Sequence, residues 1–596
     1  MPRTSVSRTN KVDPGKLLVA VDFGTTFTGV AWLYTGQPRS TYLMQQWPHH
    51  AGNDEKVPTC VIAYVKGIST ICLRLYRVIR YHEDGSHRWG FQIDTSDLRH
   101  EWFKLGLCPE ANQTSKLSRQ YPSRTALIRS EGEANEKIVI DYLNCLSKHI
   151  DFVLTNSLPD HLLRNTNRDF VLTVPAMWSD KAKERMRHCA EAAGLGSGNK
   201  LMFVAEPEAA GMYAIKELPP DTLKVGETVV LCDAGGGTVD LISYSIESLT
   251  PVPIVSETTP GSGQLCGSIY LDRIFAQYLE KRFRGYPAWT EDHQTEALAK
   301  FETDLKRNYT GIGQRRPYIL PRVAIGLPDS HDLGIRRGSL EISSRDLRDI
   351  FAPVISMIVE LVRNQISATR STVRMVLLAG GFGRNEYLRK EVSRAINSGI
   401  SVKIVPNGNT AIVRGALIAA LSEKRPLIPT IRVESRKARR HYGTSTFTPF
   451  QRGSHDVTKK ELDPFTGRDR VLVMRWFLNK GATLKESDFT NVRRFPFYID
   501  QRQYLLTPEI PITIYACEDI NNKGPPLYRD STVFELAKLK ADLSNIPKAD
   551  LNLEQGKDGT MYYKIDFEIE MDCQPTSVTF TMLYNGKRYG THQELI

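Results

Sequence analysis

The 596-residue chain contains no CxxC pair, no GxxxxGK[ST] phosphate loop and no apolar run near the roughly 20 residues that cross a bilayer. Each gap excludes something. Nine scattered cysteines, an odd count, argue against a disulfide framework or a structural zinc site and for reduced thiols inside a cell. The opening MPRTSVSRTNKVDPGK is polar and basic with no apolar stretch of signal-peptide length, so 1–16 reads as a disordered tail. The expected compartment is the cytoplasm, with the nucleus as the alternative, and no membrane partner is expected. Acid is also in deficit, 67 Asp and Glu against 78 Lys and Arg, which leaves a net charge of +11. Only RVESRKARRH at 432–441 concentrates that excess. It lacks the interleaved aromatics of a single-strand binding surface, so it reads as a solvated charged face and no nucleic-acid partner is expected.

What is present is α/β alternation. The length suits three or four domain-sized units, or two large lobes with an appendage. From 17 to 421, short Val/Ile/Leu-rich runs alternate with amphipathic stretches, the pattern of sheets covered by helices. In SDKAKERMRHCAEAAGL, Ser179 or Asp180 can cap a helix that Gly194 ends, with Ala182, Met186, Cys189, Ala190 and Ala193 at helical spacing. DFVLTVP before it and LMFVAEP after it predict a βαβ unit. SEKRPLIPT breaks the periodicity, which predicts a linker over 422–430. Beyond it, 431–596 reads as an antiparallel β domain: MYYKIDFEIEM alternates apolar and charged residues, and SVTFTMLYNGKRYGT is a hairpin turning at Asn585–Gly586. VLVMRWF, FPFYI and PITIYAC are further strand candidates. The basic segment VKGISTICLRLYRVIRYH at 65–82 separates TCVIAY from EDGSHRWGF, two runs that would otherwise form a compact hairpin. It reads either as an extra β element or as an insertion foreign to the fold.

Two stretches share one device. LLVAVDFGTTFTGVAW at 17–32 and VVLCDAGGGTVDLISY at 229–244 each run an apolar strand into an aspartate, a Gly/Thr turn and a second strand. One alone would be a tight hairpin; two imply similar subdomains facing each other. Glycines let backbone N–H groups approach an anion, threonine hydroxyls add donors, and carboxylates at the strand ends repel phosphate unless a cation intervenes. Magnesium suits that place, because it keeps most of its waters beside one or two carboxylates.

These two stretches resemble the phosphate motifs of the actin, hexokinase and heat-shock-70 ATPase superfamily, and VRMVLLAGGFGRNEYLRKEV at 373–392 resembles its adenosine motif. VPAMWSDKAKERMRHCAEAAGL and FVAEPEAAGMYAI resemble the connecting segment of DnaK-type chaperones, which sugar kinases and actin lack. With WFKLGL at 102–107, the chain is most similar to the divergent, lid-less heat-shock-70-like proteins of the twelfth subfamily type. The resemblance implies an α/β, two-lobed actin-like ATPase fold, built from duplicated ribonuclease-H-like subdomains over 17–421, with the β domain after it.

It also implies roles. Asp22 and Asp233 match the aspartates that hold the water shell of Mg2+. Gly24, Thr25 and Thr26, with Gly235, Gly236, Gly237 and Thr238, match the phosphate donors of ATP or ADP. Glu206 matches the carboxylate that orients the attacking water, and phosphoryl transfer needs little beyond such positioning and charge stabilisation. Lys104 matches a lysine directed at the γ-phosphate, with a solvated helix lysine as the alternative. Gly380 and Gly381 would let the backbone pass the adenosine, Arg384 and Arg307 match two arginines that sandwich adenine, and Lys306 matches a ribose contact; a surface helix is the alternative for Arg307 and Lys306.

Departures stand beside the matches. Phe382 replaces a serine that bonds the base, Asn409 replaces an acid near the adenosine, and Leu271 stands where the chaperones carry an ion-site acid, so that site is lost or moved to Asp272. The expected function is an ATP-binding, chaperone-like protein with weak Mg-dependent hydrolysis coupled to lobe closure. The β domain would meet a protein or peptide client, with co-chaperones as further partners. The alternatives are a nucleotide-sensing interaction module with negligible turnover and a small-molecule kinase. The sequence ends at Ile596 soon after a hairpin, so no helical lid is expected over the β domain.

Overall fold

The computed structural model describes residues 15–38, 40–62, 87–94, 97, 99–122, 133–219, 222–311, 317–424, 430–485, 493–517, 524–544, 546–573 and 577–595. The tail up to residue 14, the 65–82 segment and the centre of the linker, 425–429, lie outside these residues. The chain divides into two compact units. One comprises Met1–Ile242, Ser248–Pro253 and Ser262–Arg432; the other comprises Ser243–Glu247, Ile254–Gly261 and Val433–Ile596.

The first unit repeats one arrangement. Strand Lys16–Phe23 turns back antiparallel into Phe27–Tyr34, with Asp22 opposite Gly29, and pairs on its other side in parallel with Asn167–Val174, which pairs in parallel with Leu201–Ala205. In the second copy, Thr228–Ala234 lies next to its hairpin partner Val239–Ser248 and, on its other side, pairs in parallel with Val373–Ala379, which pairs in parallel with Ser401–Ile404. The central strands are buried along nearly their whole length, as parallel strands covered on both faces must be. The duplicated, actin-like fold expected from the two hairpins is therefore present.

Helix Asp180–Ala192 begins as its sequence predicts: the Ser179 side chain accepts from Ala182 N–H, and Gly194 follows the helix at φ +79°. Helix Ser344–Ala368 is long and apolar enough to cross a membrane by length and composition alone. Its apolar residues recur every three or four positions, however, and Leu347, Phe351, Val354, Ile358 and Val362 are all buried in the core of this unit. The flanks of the 65–82 segment do meet, since Ile62 N–H donates to Arg88 O at 3.1 Å and Val61 bridges Trp89.

The second unit holds two antiparallel sheets that share one core. The first runs Lys460–Leu462, Asp469–Leu478, His441–Pro449, Glu509–Cys517, Val533–Asp542; the other runs Arg493–Asp500, Met561–Cys573, Ser577–Tyr584, Lys587–Leu595, with Asn552–Gln555 against Met561–Cys573. Tyr563, Ile565, Phe567, Ile569 and Met571 all face that core, as their period of two predicts. Asn585 and Gly586 both take positive φ, 47° and 72°, which a two-residue hairpin turn of this hand requires. The basic cluster departs from expectation. Instead of lying wholly in solvent, it turns partly inward within this unit: Arg439 pairs with the buried Glu257 carboxylate, which also accepts from Lys437 N–H at 2.8 Å. A buried carboxylate needs such donors, and this run supplies them.

Candidate functional site

The Gly/Thr turns of the two hairpins abut. A Cβ on Gly236 would lie 2.5 Å from Thr26 Oγ1, and one on Gly237 would lie 2.5 Å from Thr25 Oγ1. No larger residue fits at either glycine without separating the loops. The carbonyls of the second turn are all engaged from one side: Ser268 N–H donates to Gly235 O at 3.1 Å, Ile269 N–H to Gly236 O at 2.9 Å, and Gly267 N–H to Gly237 O at 3.1 Å. Gly235 N–H closes the turn onto Thr238 O at 3.0 Å, and Gly24 N–H does the same for the first turn on Asp22 O at 3.1 Å. Among the described residues, the amides of Gly236, Gly237, Thr25 and Thr26 have no protein partner. With its repelling oxygens tied back, a turn of this kind presents a set of N–H groups suited to an anion.

Beside the turns lies a buried set of charges. Asp22, Asp233, Asp240 and Glu206 are all nearly inaccessible, and so is Lys104. Glu206 is the first residue of helix Glu206–Glu217, directly after strand Leu201–Ala205, where a negative charge suits the positive end of the helix dipole. Lys104 Nζ donates to Glu206 Oε1 at 2.5 Å and sits over the Phe23 and Trp178 rings at 5.8 and 5.4 Å. Its alternative reading as a solvated lysine is thereby removed. Gly106 makes the placement possible: a Cβ there would lie 2.4 Å from the Asn135 side chain, whose Nδ2 anchors Phe103 O at 3.0 Å.

The two hairpin aspartates differ. Asp22 accepts from a protein donor on each oxygen, Thr173 Oγ1 at 3.1 Å to Oδ1 and Lys56 Nζ at 2.6 Å to Oδ2. Asp233 Oδ1 is buried without a hydrogen-bond partner. Burial, reinforced by the negative charges of Glu206, Asp240 and Asp22, pushes Asp233 well above the usual carboxylate range. Such an orphaned carboxyl fits a site completed by a cation or its water shell. Among the described residues no three His, Cys, Asp or Glu side chains form a direct ligand set, so Asp22 and Asp233 could hold Mg2+ only together with water and phosphate oxygens.

Gly380, at φ +81°, packs where a Cβ would lie 2.4 Å from Ala234 O and 2.5 Å from Asp233 Oδ1, so the third motif is built against the second hairpin. At Gly381 a Cβ would meet no protein atom within 4 Å. Arg384 and Arg307 are both exposed, and their segments are joined by Asn385, whose Nδ2 donates to Lys306 O at 3.0 Å. The Arg307 guanidinium stands 5.9 Å over the Phe27 ring. Lys306 is buried, which removes its surface-helix alternative, and it donates to both oxygens of Asp272 at 2.8 and 2.7 Å. Asp272, to which the ion site absent at Leu271 could have moved, thus has a resident ammonium partner. Phe382 is buried in the core, and Asn409 Nδ2 donates to Glu55 Oε2 at 2.9 Å.

Sequence reasoning missed Lys56, Thr173 and Asp240. For Asp240 a signal existed, an acid on a strand with no exposed neighbour next to the turn. Burial, then the charge of Glu206, pushes its pKa up to about 7. A carboxyl raised in the folded state contributes stability below its unfolded value near 4, and that contribution is lost as pH rises through 7. In nucleotide-free protein, Asp240→Asn, which keeps an acceptor for Met177 N–H, is therefore expected to unfold at higher temperature than wild type at alkaline pH. The gap should widen by about 2 kcal/mol between about pH 5 and pH 8. A gap independent of pH in thermal unfolding would refute the assignment.

A family model described as Hsp70 protein matches residues 155–424, a span that contains Glu206, the second hairpin, Lys306, Arg307 and the 380–384 turn. The chain is similar to Heat shock 70 kDa protein 12B of Homo sapiens, 23% identical over 536 residues that cover 74% of this chain and 73% of that protein. It is also similar to Heat shock 70 kDa protein 12A of Homo sapiens and of Mus musculus, in each case 24% identical over 529 residues covering 74% of both chains.

Proposed function

We propose that the chain, which is similar to heat-shock-70-like proteins over most of its length, is a divergent relative of that family: an ATP-binding, chaperone-like protein that hydrolyses ATP slowly as its two lobes close. The observation that carries the reading is the pair of abutting turns, with the second turn's carbonyls tied back and its amides open. The amides and the threonine hydroxyls would cradle the phosphates, and Arg384 and Arg307 would flank the base. Lys104 would hold the terminal phosphate while Glu206 orients water toward it. Mg2+, when bound, would screen the phosphate charge between Asp22 and Asp233. A protein or peptide client for the β domain, co-chaperones and a cytoplasmic site of action belong to the same proposal.

The second reading is a nucleotide sensor with negligible turnover. It is favoured by the Lys104–Glu206 and Lys56–Asp22 pairs, which already satisfy two of the groups that hydrolysis would use. Calorimetric titration of the purified chain with ATP and ADP, followed by single-turnover cleavage, separates the readings. Uptake with cleavage supports the first and uptake without cleavage the second. A folded chain that takes up neither nucleotide overturns both.

A further inference from the structure

Lys56 is placed with care for a loop residue. Its neighbour Val57 pairs with Thr28 in the second strand of the first hairpin, which holds Lys56 beside Gly29. A Cβ on Gly29 would lie 3.2 Å from Lys56 Cε and 3.3 Å from its Cγ, so the lysine stem lies closely across the Gly29 backbone. Gly29 is the register partner of Asp22, and the ammonium ends 2.6 Å from Asp22 Oδ2. The Lys56 side chain keeps 17% of its surface exposed, against 2% for Asp22, so it borders solvent at the rim of a buried group. Its charge also acts on Glu206 and Asp233. One tethered cation thus pairs directly with Asp22 on the first hairpin, and its charge reaches Asp233 on the second and Glu206 at the start of helix Glu206–Glu217 more weakly.

The geometry points to Lys56 as a built-in counter-ion that lets this site accept metal-free adenine nucleotide. The inference rests on the nucleotide-binding reading above and adds the ionic form of the ligand. A compact ammonium is a point charge that neutralises a carboxylate and binds phosphate oxygen alike. With Asp22 already neutralised, the polyphosphate meets less repulsion at the first hairpin, and the divalent ion contributes less to uptake than it does where both aspartates are bare.

The test is calorimetric titration of the full chain with ATP, in excess Mg2+ and in excess EDTA, for wild type, Lys56→Met and Lys56→Arg. Wild type is expected to lose less than about tenfold in affinity on metal removal, and Lys56→Met to lose about a hundredfold or more. Lys56→Arg, which keeps the charge, should recover part of the metal-free binding. A wild type that binds only with Mg2+ overturns the inference while leaving the nucleotide reading intact, and so does Lys56→Met responding to EDTA as wild type does. A folded wild type with no uptake in either buffer overturns both. The wild-type comparison needs no substitution, so instability of a variant cannot mask the answer.

Discussion

Gly415→Ala is expected to cripple folding of the nucleotide-binding unit although alanine is the better helix former. Gly415 lies inside helix Ala411–Lys424, where glycine ordinarily destabilises by about 1 kcal/mol relative to alanine. Here a Cβ would lie 1.7 Å from the Ala209 carbonyl oxygen and 2.4 Å from its carbon, a contact no rotamer can relieve because both sides are backbone. The helices must separate, and overpacking against rigid backbone places the loss at about 3 kcal/mol or more. Ala209 is in the first turn of helix Glu206–Glu217, so the displacement also moves Glu206. Thermal and denaturant unfolding should show a large fall in stability, or no soluble product. Gly381→Ala, where a Cβ meets no protein atom within 4 Å, is the matched control and should unfold like wild type. An unchanged melting temperature for Gly415→Ala would refute the close approach of the two helices.

Glu206→Gln is expected to lower single-turnover ATP cleavage by about a hundredfold or more while changing ATP affinity little. The carboxylate is buried, and burial raises its pKa against the opposing pull of Lys104. Glutamine keeps the shape but has a single uncharged acceptor oxygen, so it holds the attacking water less well while Lys104 occupies that oxygen. Quenched-flow measurement of phosphate release beside calorimetric affinity separates the two effects. If cleavage survives at the wild-type rate, Glu206 does not activate water. If affinity falls as steeply as cleavage, the residue acts through the fold.

The parts of the site that could be read from sequence are those written locally. Asp22 and Asp233 each stand beside their own turn, Ser179 caps within three residues, and the strand 561–571 displays its period of two directly. Lys56 was invisible because it reaches Asp22 through the pairing of Val57 with Thr28, and Thr173 reaches it from 151 residues away. Lys104 was ambiguous for the same reason: its aromatic and acidic neighbours come from three separate segments. The inward contact of the basic cluster is not legible locally, because its buried partner Glu257 precedes Arg439 by 182 residues. The Lys306–Asp272 pair is likewise hidden, because nothing in either segment says that the two close onto each other.

The three amide staples from Gly267, Ser268 and Ile269 fasten the second turn to helix Ile269–Arg282, and the same helix carries Asp272, which grips Lys306. The second hairpin turn and the Lys306 segment are thus mounted on one stiff strut. Any shift of that helix along its axis would act on the turn and on Lys306 together.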